Sequence, residues 1–167
     1  MSRGFVKEED QEEPLLVPPR AALPAGETNY VTANGLKELK EELEELEHER
    51  ANVFAENETE KRREQSLIDG KIKLLSERLN SARLLTPEDL PKDEVRFGVH
   101  VEIEYLEKGL KQKFQIVGVD EADIKKQKIA FVAPISRAIT GKKIGEQVDF
   151  KLGSEVRKLK ILSIKYD

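Results

Sequence analysis

The sequence predicts an α+β chain: an antiparallel coiled-coil helical hairpin followed by an antiparallel β domain with one short helix. Three observations predict it. Two leucine-rich stripes of coiled-coil spacing lie within residues 31–85, alternation of apolar and polar residues begins at Val99, and a proline-bearing stretch, 86–94, separates the two patterns. Charged residues make up 37% of the chain, hydrophobic residues 38%, and there are only nine aromatics, which suits long helices with a thin core better than a thick globule.

Taken in order, residues 1–30 carry Pro14, Pro18, Pro19 and Pro24 and an acidic run, Glu8-Glu9-Asp10-Gln11-Glu12-Glu13. Nothing there repeats with helical or strand period, so the reading is a flexible tail. Leu15-Leu16-Val17 offers a short apolar run within it, read as unattached.

A helix is predicted to begin near Thr32. Leu36, Leu39, Leu43 and Leu46 follow at spacings of 3, 4 and 3, and Ile68, Ile72, Leu75, Leu79 and Ala82 at 4, 3, 4 and 3. Glu, Lys and Arg fill most positions between. Two such seams in a short chain point to one hairpin whose arms pack on each other. Pairing Leu36 with Ala82, Leu39 with Leu79, Leu43 with Leu75 and Leu46 with Ile72 centres the turn on Thr59, with the tip over 56–60. Asn57 is the expected N-cap of the second arm, with Glu60 three residues on. Asp69-Gly70 resembles a turn signal, but the seam runs through it, so it is read as helical. Each buried Leu or Ile contributes roughly 1.5–3 kcal/mol.

The run Thr86-Pro87-Glu88-Asp89-Leu90-Pro91 ends the helical part and opens the linker over 86–94. In residues 95–167, Val99, Val101, Ile103 and Tyr105 alternate with His100, Glu102 and Glu104, a half-buried strand. Phe114 with Ile116, Ile129 with Phe131, and Val148 with Phe150 and Leu152 mark further strands. The last run, Leu159 to Tyr166, slips phase at Ile161-Leu162, which a β-bulge explains. Pro134 to Gly141 reads as one short helix, with Pro at its start and Gly past its end. Phe97, Phe114, Phe131 and Phe150 are assigned to the core rather than to a ligand pocket.

Composition also excludes. Cysteine is absent, which removes disulfides and thiolate metal sites and fits a reducing, cytoplasmic setting. No apolar run approaches the ~18 residues of a membrane span. The N-terminus leads into acidic residues rather than an apolar stretch, against a signal peptide. Residues 1–94 carry a net charge of −9 and residues 95–167 a net +5, an acidic arm on a mildly basic body. His48 and His100 lie far apart without a ligand set, no Ser-His-Asp order appears, and Gly141-Lys142-Lys143 lacks phosphate-loop spacing.

Several strings then resemble a known family. Val117-Gly118-Val119-Asp120-Glu121-Ala122-Asp123 and Ala133-Pro134-Ile135-Ser136-Arg137-Ala138-Ile139-Thr140-Gly141-Lys142 resemble signature stretches of the Gre C-terminal domain, whose fold is FKBP-like. Val31-Thr32-Ala33-Asn34-Gly35-Leu36 to Leu43 resembles the opening of the Gre hairpin, and Asp69-Gly70-Lys71-Ile72-Lys73 through Leu79-Asn80-Ser81-Ala82 its return arm. The likeness is collinear over 31–167. This hairpin is about one heptad per arm shorter than the family's, roughly 10 Å. With its linker Pro87-Glu88-Asp89-Leu90-Pro91 it is also similar to the Rnk-like branch, which is not credited with transcript cleavage.

The resemblance implies a bacterial transcription elongation factor that binds RNA polymerase and inserts its hairpin tip into the secondary channel, where carboxylates help hold a second Mg²⁺ for cleavage of backtracked RNA. It implies no catalytic residue and no cofactor of its own, Mg²⁺ being shared with the polymerase. The partners implied are the polymerase and, indirectly, nascent RNA; DNA contact stays open, no membrane is involved, and a monomer is expected. Mg²⁺ takes hard oxygen ligands, and Glu56, Glu58 and Glu60 are the carboxylates near the apex. The family's tip string has an Asp that Val53-Phe54-Ala55-Glu56-Asn57-Glu58-Thr59-Glu60 lacks, so ordinary turn chemistry competes with metal delivery. Lys61-Arg62-Arg63 reads as pairing with glutamates at i−4, or as meeting phosphates. Asp120, Glu121, Ser136 and Arg137 are candidate polymerase contacts, with turn and helix-end roles as the alternative. Binding without cleavage, or a coiled-coil adaptor carrying an FKBP-like module, remain open.

Overall fold

A computed structural model describes residues 15–166. Thr32 is the N-cap of helix α1 (Ala33–Ala51), its hydroxyl accepting from the Gly35 amide. Helix α2 (Glu58–Ser81) opens on Asn57, whose side chain accepts from the Glu60 amide at 2.9 Å, the cap expected there. Leu39, Leu46, Ile68 and Leu75 are buried, and Leu36, Leu43, Ile72, Leu79 and Ala82 pack around them as one cluster. The two stripes zip together, and α2 runs unbroken through Asp69-Gly70. Arg50 on α1 and Asp69 on α2 add an exposed ion pair across the arms.

The chain reversal differs from expectation in position. The helices break over residues 52–57, so Thr59, the predicted centre, already lies in the first turn of α2. Heptad pairing assumes helical rise throughout, and Asn52 leaves the helical conformation while the seam still has room to continue.

At its base the hairpin is closed by a feature without any sequence signature. Strand β1 (Tyr30–Val31) pairs in parallel with β2 (Arg83–Leu84), two residues each. The Arg83 amide donates to the Asn29 carbonyl, and the Leu85 amide to that of Val31. A short 3-10 turn at Pro87–Asp89 follows, held by the Asp89 carboxylate, which accepts from the Thr86 amide and hydroxyl.

The β domain is one five-stranded sheet of β3 (His100–Tyr105), β4 (Leu110–Val117), β5 (Lys128–Ala130), β6 (Gln147–Leu152) and β7 (Glu155–Lys165), in the order β5-β4-β3-β7-β6. All neighbours are antiparallel except β4 and β5, which run parallel, a departure from the wholly antiparallel expectation. A 3-10 turn at Ile124–Lys126 makes the crossover. The expected bulge is present: Glu102 faces Ser163 while Ile103 faces Ile161, leaving Leu162 as the extra residue. Helix α3 (Pro134–Ile139) begins on its proline, and Gly141 beyond it takes a φ of +86°. Val99, Val101, Ile103, Phe114, Ile116, Val148, Phe150, Leu159 and Ile161 form the core, with Ile139 of α3 and Val95, the first residue past the linker, buried among them.

Phe114 and Phe150 are core as expected, Phe131 packs against the core and has a second allegiance, and Phe97, assigned to the core from its sequence, lies outside that cluster. With Tyr30, Phe97 and Phe131 form a three-ring cluster, centroids 5.6–5.9 Å apart, which joins the hairpin base to the β domain. The close approach passes over Gly118, where a Cβ would lie 2.5 Å from the Tyr30 carbonyl oxygen.

The expected tail divides in two. The acidic run at 8–13 and Pro14 lie outside the described residues. Leu15 and Leu16 stay exposed, but residues 17–29 lie along the hairpin instead of standing free: Val17 lies against Gly70, and Pro18 to Ala21 run beside Glu42, Leu46, Lys71 and Leu74.

Candidate functional site

The hairpin end presents Glu56 in the connecting bend and Glu58 and Glu60 at the first and third positions of α2, all exposed. On a helix of 3.6 residues per turn, side chains two apart project about 200° from each other. Glu58 and Glu60 therefore cannot close on one ion together, and Glu56 with one of them is the largest set available. Both helical glutamates also sit where the N-terminal dipole of α2 favours negative charge. Among the described residues no group of three or more His, Cys, Asp or Glu side chains is arranged to hold a metal.

The segment between the helices carries a residue the sequence reading passed over. Val53 turns inward to the hairpin cluster, whereas Phe54 points out and is 90% exposed. The Val53-Phe54-Ala55 string reads as generic apolar sequence until the helix break is known. Among the described residues no ion pair joins Lys61, Arg62 or Arg63 to a glutamate, so the pairing expected at i−4 is not made and the cations face solvent or half-buried positions beside the tip.

At the other end, Asp120 and Glu121 follow β4 and are buried, not displayed. The Asp120 side chain is 6% exposed and accepts from Arg20 Nε at 3.1 Å and Arg78 Nη1 at 3.0 Å. Glu121, its side chain 2% exposed, accepts from the Thr32 hydroxyl at 2.5 Å, Asn34 Nδ2 at 2.9 Å and Lys128 Nζ at 3.0 Å. Two strings far apart in sequence, 31–43 and 117–123, thus meet: the cap of α1 is itself capped by the β domain. Ser136 is also buried, and its hydroxyl has no hydrogen-bond partner among the described residues. Only Arg137 keeps substantial exposure, donating through Nε to the Val132 carbonyl and through Nη2 to Glu27 at 3.0 Å. Three of the four expected docking residues are therefore internal. The reason is physical: charge in a turn signature looks the same whether a partner domain or solvent covers it.

The signature of the family "Transcription elongation factor, GreA/GreB, C-term" matches residues 90–166. The transcription elongation factor GreA of Caldanaerobacter subterraneus is 36% identical over 150 residues, covering 81% of this chain and 96% of that protein. This chain belongs to the GreA/GreB family. The GreA of Thermodesulfovibrio yellowstonii is 34% identical over 106 residues, 64% of this chain and 67% of its own length. A solved GreA/GreB factor from Nitrosomonas europaea is 18% identical, with a TM-score of 0.41, covering 84% of this chain and 99% of that one. The α+β architecture of a hairpin followed by a sheet with one short helix is the one anticipated from the sequence. No helix among the described residues is long and apolar enough to cross a membrane.

Proposed function

We propose that this Gre-family chain is an RNA-polymerase-binding elongation regulator that inserts its coiled-coil tip into the secondary channel of the bacterial enzyme, in the cytoplasm and as a monomer. The observation that carries the reading is the zipped hairpin, a narrow rod built on the cluster of Leu39, Leu46, Ile68 and Leu75 and ending in Phe54, Glu56, Glu58 and Glu60. From Thr32 to Ala51 the rod rises about 28 Å at 1.5 Å per residue, a length suited to entering a channel. The role is accessory: any bond cleavage takes place in the polymerase active site, with contact to nascent RNA through the tip. Lys61, Arg62 and Arg63, unpaired with glutamates, suit phosphate or acidic protein surfaces. DNA contact has no comparable support.

Binding to core polymerase tests this directly. We expect association that a longer Gre factor competes away; no detectable association removes the reading.

Regulation without strong cleavage stimulation is favoured by the divergence of Glu58 and Glu60. A Mg²⁺ shared with the polymerase supplies charge stabilisation of attacking and leaving oxygens in an in-line displacement. Glu56 with one helical glutamate offers hard oxygens that fit such an ion, as two carboxylates are an ordinary Mg²⁺ complement. The third carboxylate would stay with the helix terminus. In a cleavage assay on stalled elongation complexes, the wild type is expected to stimulate weakly or not at all. Robust cleavage lost in Glu56→Ala, Glu58→Ala or Glu60→Ala would establish metal delivery instead.

A further inference from the structure

Residues 17–29 bind three separate parts of the molecule. Val17 lies in a space on α2 that only glycine leaves open: a Cβ on Gly70 would come within 2.4 Å of Val17 Cγ2. Arg20 forks onto Glu42 of α1, Nη1 to Oε2 at 2.6 Å and Nη2 to Oε1 at 3.0 Å, and its Nε reaches Asp120 of the β domain at 3.1 Å. Arg78 of α2 donates to the same Asp120 at 3.0 Å and to the Ala21 carbonyl at 2.7 Å. Glu27 takes Arg137 of α3, and Asn29 donates to the Arg78 carbonyl and the Ser81 hydroxyl. Arg20, Arg78, Asp120 and Glu42 form a charge-balanced set with Arg20 only 18% exposed.

The placement is mechanical. The hairpin meets the β domain near its base, at the Tyr30, Phe97 and Phe131 rings, at Glu121, and through Arg78, three residues from the end of α2, to Asp120. A rod held only near its base can pivot there. Glu42 lies ten residues along α1 from Thr32, about 15 Å of rise, and a guanidinium bridging it to Asp120 braces the rod away from its pivot. Arg suits this because its planar fork holds one carboxylate bidentately and still offers Nε to another. A 10° swing at the base would carry the far end of α1 about 5 Å sideways over its ~28 Å of rise.

We propose that residues 17–29 are a strap that sets the angle of the hairpin to the β domain, with Arg20 as its positioning residue. The bond to Glu42, with the negative charges of Asp120 and Glu42, holds the Arg20 guanidinium charged more firmly than usual against the opposing effect of its burial, consistent with a permanent link.

The chain has no cysteine, so Thr59→Cys on α2 and Lys151→Cys on β6, both exposed positions, can be spin-labelled without background. The distance between the labels in the free protein is the readout. The otherwise wild-type chain should give one narrow distance. Arg20→Ala should shift and broaden it while helicity by circular dichroism is kept, and Arg20→Lys, able to hold one carboxylate but not both, should lie between. Arg50→Ala breaks an ion pair within the hairpin alone and should change nothing. Gly70→Ala favours the helix but expels Val17, and should broaden the distance with the hairpin intact. An unchanged distance in both Arg20→Ala and Gly70→Ala overturns the strap. Loss of helicity in Arg20→Ala overturns it too, since the segment would then serve folding rather than positioning.

Discussion

Asp120 and Glu121 stand side by side after β4, and each is held by donors from other parts of the chain. A carboxylate so enclosed is stabilised by its partners, and removing it leaves their charges buried and uncompensated. Asp120→Ala is therefore expected to lower stability by about 3–5 kcal/mol, because Arg20 and Arg78 would lose their common acceptor. Denaturant melts check this; an unchanged midpoint would mean that Asp120 is a docking residue after all. Glu56, Glu58 and Glu60, by contrast, are exposed. The sequence put all five carboxylates on the same footing, since a residue's charge says nothing about which segment folds over it. Asn57 was legible as a cap because capping is local, set by a side chain and an amide three residues apart, whereas Thr32 was read only as the place where the first helix begins.

At the scale of elements, the hairpin depends on a few seam positions. Leu75 is fully buried within the cluster that includes Leu39, Leu46 and Ile68. Leu75→Ala is expected to cost about 2–5 kcal/mol, the range for a truncated core leucine. Phe54→Ala, at a side chain 90% exposed, should stay within about 0.5 kcal/mol of wild type. Thermal unfolding followed by helicity compares the two, and a Phe54→Ala loss as large as that of Leu75→Ala would mean that the connecting segment is packed in solution. The stripes were readable because knobs repeat every three or four residues. The helix break at 52–57 was not, since no glycine or proline marks it. The two-residue pair β1–β2 was illegible for another reason: its hydrogen bonds are backbone to backbone, so its side chains carry no trace of it.

For the molecule as a whole, the joint between hairpin and sheet governs what the tip can reach. Gly118 lets the Tyr30 backbone pass over the end of β4, and a Cβ there would meet a carbonyl oxygen, which cannot move as a flexible side chain could. Gly118→Ala is expected to pry the hairpin base from the β domain while both keep their own cores. The measurement is limited proteolysis around residues 85–97, which should speed up with far-UV dichroism preserved; unaltered cleavage would show that the joint tolerates the methyl group. By itself the sequence determined the two helices, their pairing, the cap at Asn57, the main strands of the β domain, the bulge at Leu162 and the family, because each rests on periodicity, on contacts between near neighbours, or on collinear strings. Tertiary structure alone decided that Asp120, Glu121 and Ser136 face inward, that Phe97 and Phe131 join Tyr30, and that residues 17–29 lie along the rod. Those facts depend on which surfaces meet across a hundred residues of chain, and neither charge nor hydrophobic pattern records the identity of a distant partner.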